Sequence, residues 1–294
     1  MRVTGTGAFG YMETITLQKF GEFQVETHED LGRLREIETQ VLDKLNLGFA
    51  PEVISILDNE DARQEDIEKI KLKLRQDVLS RLIGRANLVS HLGKAKAGEA
   101  NEFLNVVMRL GMKPAKVYIL AFTLYFSSHE LEELAARCFS MAIIGRVLAK
   151  QLGLNALDQD RVELGSLLLE MGKIPIVLYE KQNNLKLNSD FTSRYHPYFG
   201  VRMIQKYSLP DYLAGIILNQ HFSIEKNGFS ATAVVDLAHC VVERSFMRSG
   251  KFVVQSESPG DQSDSNLLTV INNAFQVIGL RKYLEIKLPI KPAR

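Results

Sequence analysis

Apolar side chains return every three or four residues through most of this 294-residue chain, and that spacing constrains its fold more than any other feature. Leu34, Ile37, Val41, Leu42 and Leu45 share one helical face among many charges, and Gly48 ends the run. Pro51 opens a short helix whose apolar face is Val53, Ile54 and Leu57. Asp61 or Gln64 can cap the next helix, which carries Ile67, Ile70, Leu74 and Val78. The same pattern predicts helices over 103–110, 115–126, 131–152, 162–171, 198–207, 211–219, 231–247 and 267–280. Their linkers are mostly short and hold Gly, Pro, Asn or Ser, as compact helical folds require. Two stretches depart from this. Residues 14–17 and 23–26 alternate apolar with polar around Phe20-Gly21, which predicts a β-hairpin that must lean on the body or on a partner. Residues 255–266 are polar and acidic, which predicts a mobile loop. The expected class is all-α with a small N-terminal β-hairpin appendage. Its parts are a lead and hairpin over 1–28, a helical domain over 29–250, and an acidic loop, last helix and tail over 251–294.

Charge and composition remove several function classes. Thirty-six basic against thirty-five acidic residues leave a formal net charge of +1, so the whole chain has no polyelectrolyte reason to bind nucleic acid. The six Lys and Arg of 69–85 have no aromatic residues interleaved for base stacking. They follow Glu60, Asp61, Glu65, Asp66 and Glu68, so a solvated helix face is expected. Cys138 and Cys240 lie far apart without CxxC spacing, which excludes a disulfide framework and a cysteine zinc knuckle and fits a reducing compartment. The first residues lack the apolar core of a signal peptide, and no run of 18 apolar residues occurs. A cytoplasmic protein without a membrane span is the expectation. No Gly-rich phosphate loop, GxSxG elbow or zincin helix is present.

Three segments in order resemble one family. RLIGRANLVS (81–90) followed by FLNVVMRLGMKPAKVYILAF (103–122) carries an Ala-Asn pair, Ala86-Asn87, and then a Leu-Gly pair, Leu110-Gly111. RVELGSLLLEMGKIPIVLY (161–179) is similar to the stretch that reads LLHDIGK in catalytic relatives. YHPYFGVRMIQKYSLPDYLAGIILNQH (195–221) is similar to H-x-x-x-G…L…W-x-L-P…I…H. Together, over about residues 45–250, they resemble the HD-related output domain, HDOD, a degenerate cousin of the HD and HD-GYP metal-dependent phosphohydrolases. The resemblance implies an HD-like helical bundle with an N-terminal half over about 45–125 and an HD-like half over about 130–250. The cleft between those halves is the place where a degenerate metal site would open.

In active HD enzymes a divalent ion held by imidazoles and carboxylates lowers the pKa of its water and clamps phosphate oxygens. By the resemblance, the first metal-binding His falls near Phe139, between Cys138 and Ser140, where no His stands. The His-Asp pair is matched by Leu169-Glu170, with Gly172-Lys173 kept. The later ligands are matched by His196, His221 and Asp236, and Phe222 stands where a double His would continue. Leucine and phenylalanine cannot ligate, so no bound metal is expected. A surviving set could comprise Glu170, His196, His221 and Asp236, holding Mn, Fe or Mg. Structural roles compete at each position. Lys173 lies three residues after Glu170 and can pair with it. His196 can bond backbone groups near Pro197, and His221 can sit at a helix end. Asp236 and His239 stand at i, i+3, which suits a hydrogen bond as well as a metal pair. The resemblance implies a bacterial signal-transduction module that binds a regulatory protein or a small ligand, as monomer or homodimer, and does not catalyse. The alternative is a nucleotide or cyclic-dinucleotide phosphodiesterase with the remodelled ligand set, in which Lys173 neutralises phosphate charge.

Overall fold

In the computed structural model the described residues are 25, 27–45, 50–59, 61–89, 103–218, 230–243, 245–248 and 251–254. Twelve α-helices stand among them. These are α1 His28–Ile37, α2 Ala50–Asp58, α3 Gln64–Lys73, α4 Gln76–Val89, α5 Phe103–Leu110 and α6 Met112–Tyr125, followed by α7 Glu132–Gln151, α8 Ala156–Leu168, α9 Lys173–Gln182, α10 Ser189–Lys206, α11 Asp211–Leu218 and α12 Ala231–Glu243. A π-helical turn, Glu38–Leu42, continues α1, and a 3-10 turn, His129–Leu131, precedes α7. The N-terminal hairpin expected over 14–26, the acidic loop over 255–266 and the last helix over 267–280 lie outside the described residues.

Several boundaries differ from expectation, each for a local reason. Ile67, Ile70, Leu74 and Val78 do not share one helix. Leu74 adopts an extended backbone (φ −81°, ψ 141°) that ends α3, and Arg75 grips Asp77 as α4 begins. The helix expected over 162–171 starts earlier and ends at Leu168, with residues 169–172 forming a turn before α9, which the apolar spacing did not separate. The helix expected to run to Met247 stops at Glu243. Strands β1 Ser245–Arg248 and β2 Lys251–Val254 pair antiparallel, with Arg248 opposite Lys251. The Ser-Gly step at 249–250 between two short Phe-containing runs was the sequence signal for this hairpin.

The chain forms two units, 1–46 with 169–220 and 47–168 with 221–294. In the first, α1 and its π-turn fasten to the later helices α9 and α10 through polar bonds from long side chains. Arg33 donates to the Tyr179 hydroxyl at 3.0 Å, and Arg202 and Tyr198 both donate to Glu38, at 2.7 and 3.0 Å. Apolar burial of Leu34, Ile37, Val41 and Leu42 lies beneath these bonds. In the second unit α7 is the central helix, buried along nearly its whole length from Leu134 to Ala149. It meets α8 at Gly145, where an added Cβ would stand 2.7 Å from Ser166 Oγ and 3.0 Å from Val162 Cγ1. A side chain at 145 would therefore push the two helices apart.

Candidate functional site

Leu169, Glu170, Lys173 and His196 all belong to the first unit. Leu169 is completely buried, and Glu170 is 1% exposed. The Glu170 carboxylate pairs with the ammonium of Lys173, as the spacing predicts, but not along one helix. Glu170 sits in the turn after α8, and Lys173 is the first residue of α9, joined to it by a backbone bond of 2.9 Å to the Glu170 carbonyl. The turn is set by Gly172. A Cβ there would fall 1.7 Å from the His196 carbonyl oxygen and 2.5 Å from the Gly200 nitrogen. Only a residue without a side chain lets this backbone lie directly on α10.

His196, 5% exposed, has Nδ1 at 3.0 Å from both the Thr192 and Ser193 carbonyl oxygens. The neighbouring Pro197 has no N–H, so the Ser193 carbonyl loses the donor that an ordinary helix would give it. The imidazole supplies that donor, which places a proton on Nδ1.

Phe139 and Asp236 belong to the second unit, and His221 lies outside the described residues. Phe139 is a packing residue. Its ring stacks on Phe122 at 4.9 Å between centroids and meets Phe126 and Tyr125 at 5.9 and 6.1 Å. Asp236 is half-buried on α12. His239, three residues on, lies 3.6 Å from Glu243. Cys138 is fully buried, as expected of a core thiol.

Apolar spacing alone does not reveal a buried polar centre in the second unit. Arg85 from α4, Tyr118 from α6, Arg146 from α7 and Glu163 from α8 meet in the interior, with Arg85 4%, Arg146 8% and Glu163 3% exposed. One Glu163 oxygen accepts from Arg85 Nη2 and from the Tyr118 hydroxyl, and the other accepts from Arg146. Arg85 Nε donates to the Tyr118 oxygen at 2.8 Å, and Arg146 donates to Asp160 at 2.7 Å. Burial alone would raise the Glu163 carboxyl, but Arg85 and Arg146 outweigh it and hold it below its usual 4.5. Burial pushes the Tyr118 hydroxyl well up, so it stays a donor. A signal did exist: single charges inside the apolar runs LIGRA, IIGRV and VELGS. The run of basic residues over 69–85 instead places Arg85 on the solvated face. Lys69 and Lys73 do stand on that face, paired with Asp66 and Glu52. Arg85 turns inward, and Arg81 lays its guanidinium 3.7 Å from the Phe126 ring centre.

Four of the positions matched to the HD ligands are occupied otherwise among the described residues. Phe139 and Leu169 offer no donor atom, Glu170 is paired with a cation three residues away, and His196 has committed Nδ1 to the backbone. Phe139 and Leu169 therefore remove two donors that a hydrolytic metal held in the HD manner would need.

No family model and no curated protein matches the chain. Among solved structures, a "putative metal-dependent phosphohydrolase" from Shewanella amazonensis SB2B superposes with a TM-score of 0.58 at 14% identity, covering 84% of this chain and 97% of that one. An HDOD domain protein of unknown function from Geobacter sulfurreducens gives 0.48 at 19% identity, over 87% and 89% of the two chains. The first of these likenesses establishes a shared fold.

Proposed function

We propose that this chain, which has the fold of the Shewanella protein, is a non-catalytic regulatory module of HDOD type that works by binding a partner protein or a small ligand. The observation that carries the reading is what fills the ligand positions. Phe139 is consumed by an aromatic stack, and Leu169 is sealed in the core. Glu170 and His196 serve the turn and the helix around Gly172 and Pro197. These four positions have packing or hydrogen-bonding duties, which is what a fold keeps when its chemistry is gone. A bacterial signalling role in the cytoplasm fits the two cysteines, and no helix among the described residues is long and apolar enough to cross a membrane.

The test is elemental analysis of the purified, tag-free protein joined to a hydrolysis screen over nucleotide and cyclic-dinucleotide phosphodiesters. The expected result is no stoichiometric Mn, Fe, Ni or Zn and no turnover. About one metal per chain together with metal-dependent hydrolysis would instead establish the phosphodiesterase alternative.

A further inference from the structure

Helix α1 and its π-turn lie on α9 and α10 without a short stretch of chain to tie them there. Residues 1–46 share a unit with 169–220, while the chain runs on from 46 into the other unit. Noncovalent bonds hold the segment in place, and those that fasten it run mostly in one direction. Tyr179 donates to Glu36, Tyr195 to Asp30 at 3.1 Å, and Tyr198 and Arg202 to Glu38. Lys206 donates to the Leu42 and Asp43 carbonyl oxygens, and Tyr207 to that of Leu45 at 3.2 Å. The face on α9 and α10 supplies hydroxyl and cationic donors. The segment supplies carboxylates and carbonyls beside the buried Leu34, Ile37, Val41 and Leu42. Over 27–45 it carries five carboxylates against three Lys and Arg. An acidic amphipathic helix is the shape and charge that this face fits.

The segment is also a poor helix. Gly32 stands exposed in the middle of α1 with nothing within 4 Å of an added Cβ, so no packing demands a glycine there. Apart from proline, glycine is the residue least favourable to a helix interior. The turn that follows, Glu38–Leu42, has the rare π form. A segment built this way holds its seat less firmly than a better helix with the same contacts would.

We propose that this face of α9 and α10 docks an acidic amphipathic helix of a partner protein, and that α1 with its π-turn is the strap which such a helix displaces. This docking rests on the reading that the module works by binding a partner protein, and it names that partner's chemistry. None of the donors on the face is among the positions matched to the HD ligands.

The experiment is fluorescence anisotropy of a labelled peptide with the sequence of residues 27–45, titrated with the full chain, with a scrambled peptide as the control. The peptide stands in for the partner helix, because the face already seats this sequence. Saturable binding that the scrambled peptide lacks is expected. Gly32→Ala in the full chain tightens the strap and should weaken binding about fivefold, whereas the same change in the peptide should strengthen it. Glu38→Gln in the full chain loosens the strap's hold on Tyr198 and Arg202 and should strengthen binding at least about threefold. No saturable binding by the parent or the Glu38→Gln chain, or binding indifferent to both substitutions, overturns the proposal. So does a shift of the Glu38→Gln chain to dimer in light scattering, which would make a second copy the occupant. Failure here leaves the regulatory reading to its own hydrolysis screen, and hydrolysis in that screen leaves the docking face standing.

Discussion

Glu170 and Glu163 are both buried carboxylates, yet their surroundings give them different weights. Glu170 pairs with Lys173, which keeps a quarter of its side chain in water. Replacing Glu170 by Ala frees an ammonium that can turn outward, so the expected loss is about 1–3 kcal/mol in urea unfolding. Glu170→Gln should lose less, because it keeps an acceptor and the shape. A Glu170→Ala variant as stable as the parent would mean that the carboxylate is not structural. Glu163 is shared by two buried arginines and a buried tyrosine. Glu163→Gln is expected to cost about 3–5 kcal/mol. Its pH dependence has a definite sign. A carboxyl held below 4.5 when folded contributes fully above 4.5 and loses that contribution as pH falls through its lower folded value. The stability gap between parent and Glu163→Gln should therefore be widest near neutrality and narrow below about pH 4, as measured by denaturant unfolding across pH. A gap that widens on acidification would show that the arginines do not hold the carboxyl down.

At the scale of elements, the turn at 169–172 and helix α10 act as one joint. Gly172 lets the turn's backbone touch the His196 and Gly200 backbone, and His196 repairs the carbonyl that Pro197 leaves without its helical donor. Gly172→Ala has no soft atom to push aside, since the nearest atoms are backbone. Its cost is expected to be about 3 kcal/mol or more, at the high end for overpacking, read as a lowered thermal midpoint. Gly153 makes a useful control. It has a positive φ of 77° but nothing near a new Cβ, so Gly153→Ala should cost only the backbone strain, about 1 kcal/mol. Equal losses at the two glycines would refute the close approach at 172. The apolar spacing found only the second half of α10, from 198 onward, and not this joint. A proline inside a helix reads as a break until a neighbouring donor is seen to compensate it.

For the molecule as a whole, the near balance of charge predicts weak association with polyanions. Lys69 and Lys73 are already matched with acids, Arg85 has left the basic face for the interior, and Arg81 lies against the Phe126 ring. No micromolar binding to duplex DNA is expected in about 150 mM salt by fluorescence anisotropy. Binding with a steep salt slope that Lys71→Glu with Lys73→Glu abolishes would contradict this. The all-α class and most helix positions were legible because burial of one face imposes a period that the sequence must carry. The β1–β2 hairpin was missed because α12's apolar run leads directly into it, so the helical period was extended past its true end.

The sequence by itself determined the helical class, the absence of donor atoms at Phe139 and Leu169, and the pairing of Glu170 with Lys173. All three follow from residue type or from separations of a few positions. Only the tertiary structure decided that Arg85, Tyr118, Arg146 and Glu163 meet, because 78 positions separate the ends of that set and no local rule links them. It also decided that Gly172 must be glycine, since the atoms that forbid a side chain there belong to a helix more than twenty residues later. Periodicity reports which face of a helix is buried. It does not report what that face is buried against, and for an isolated charge in an apolar run the partner decides whether it is a defect, a brace or a site.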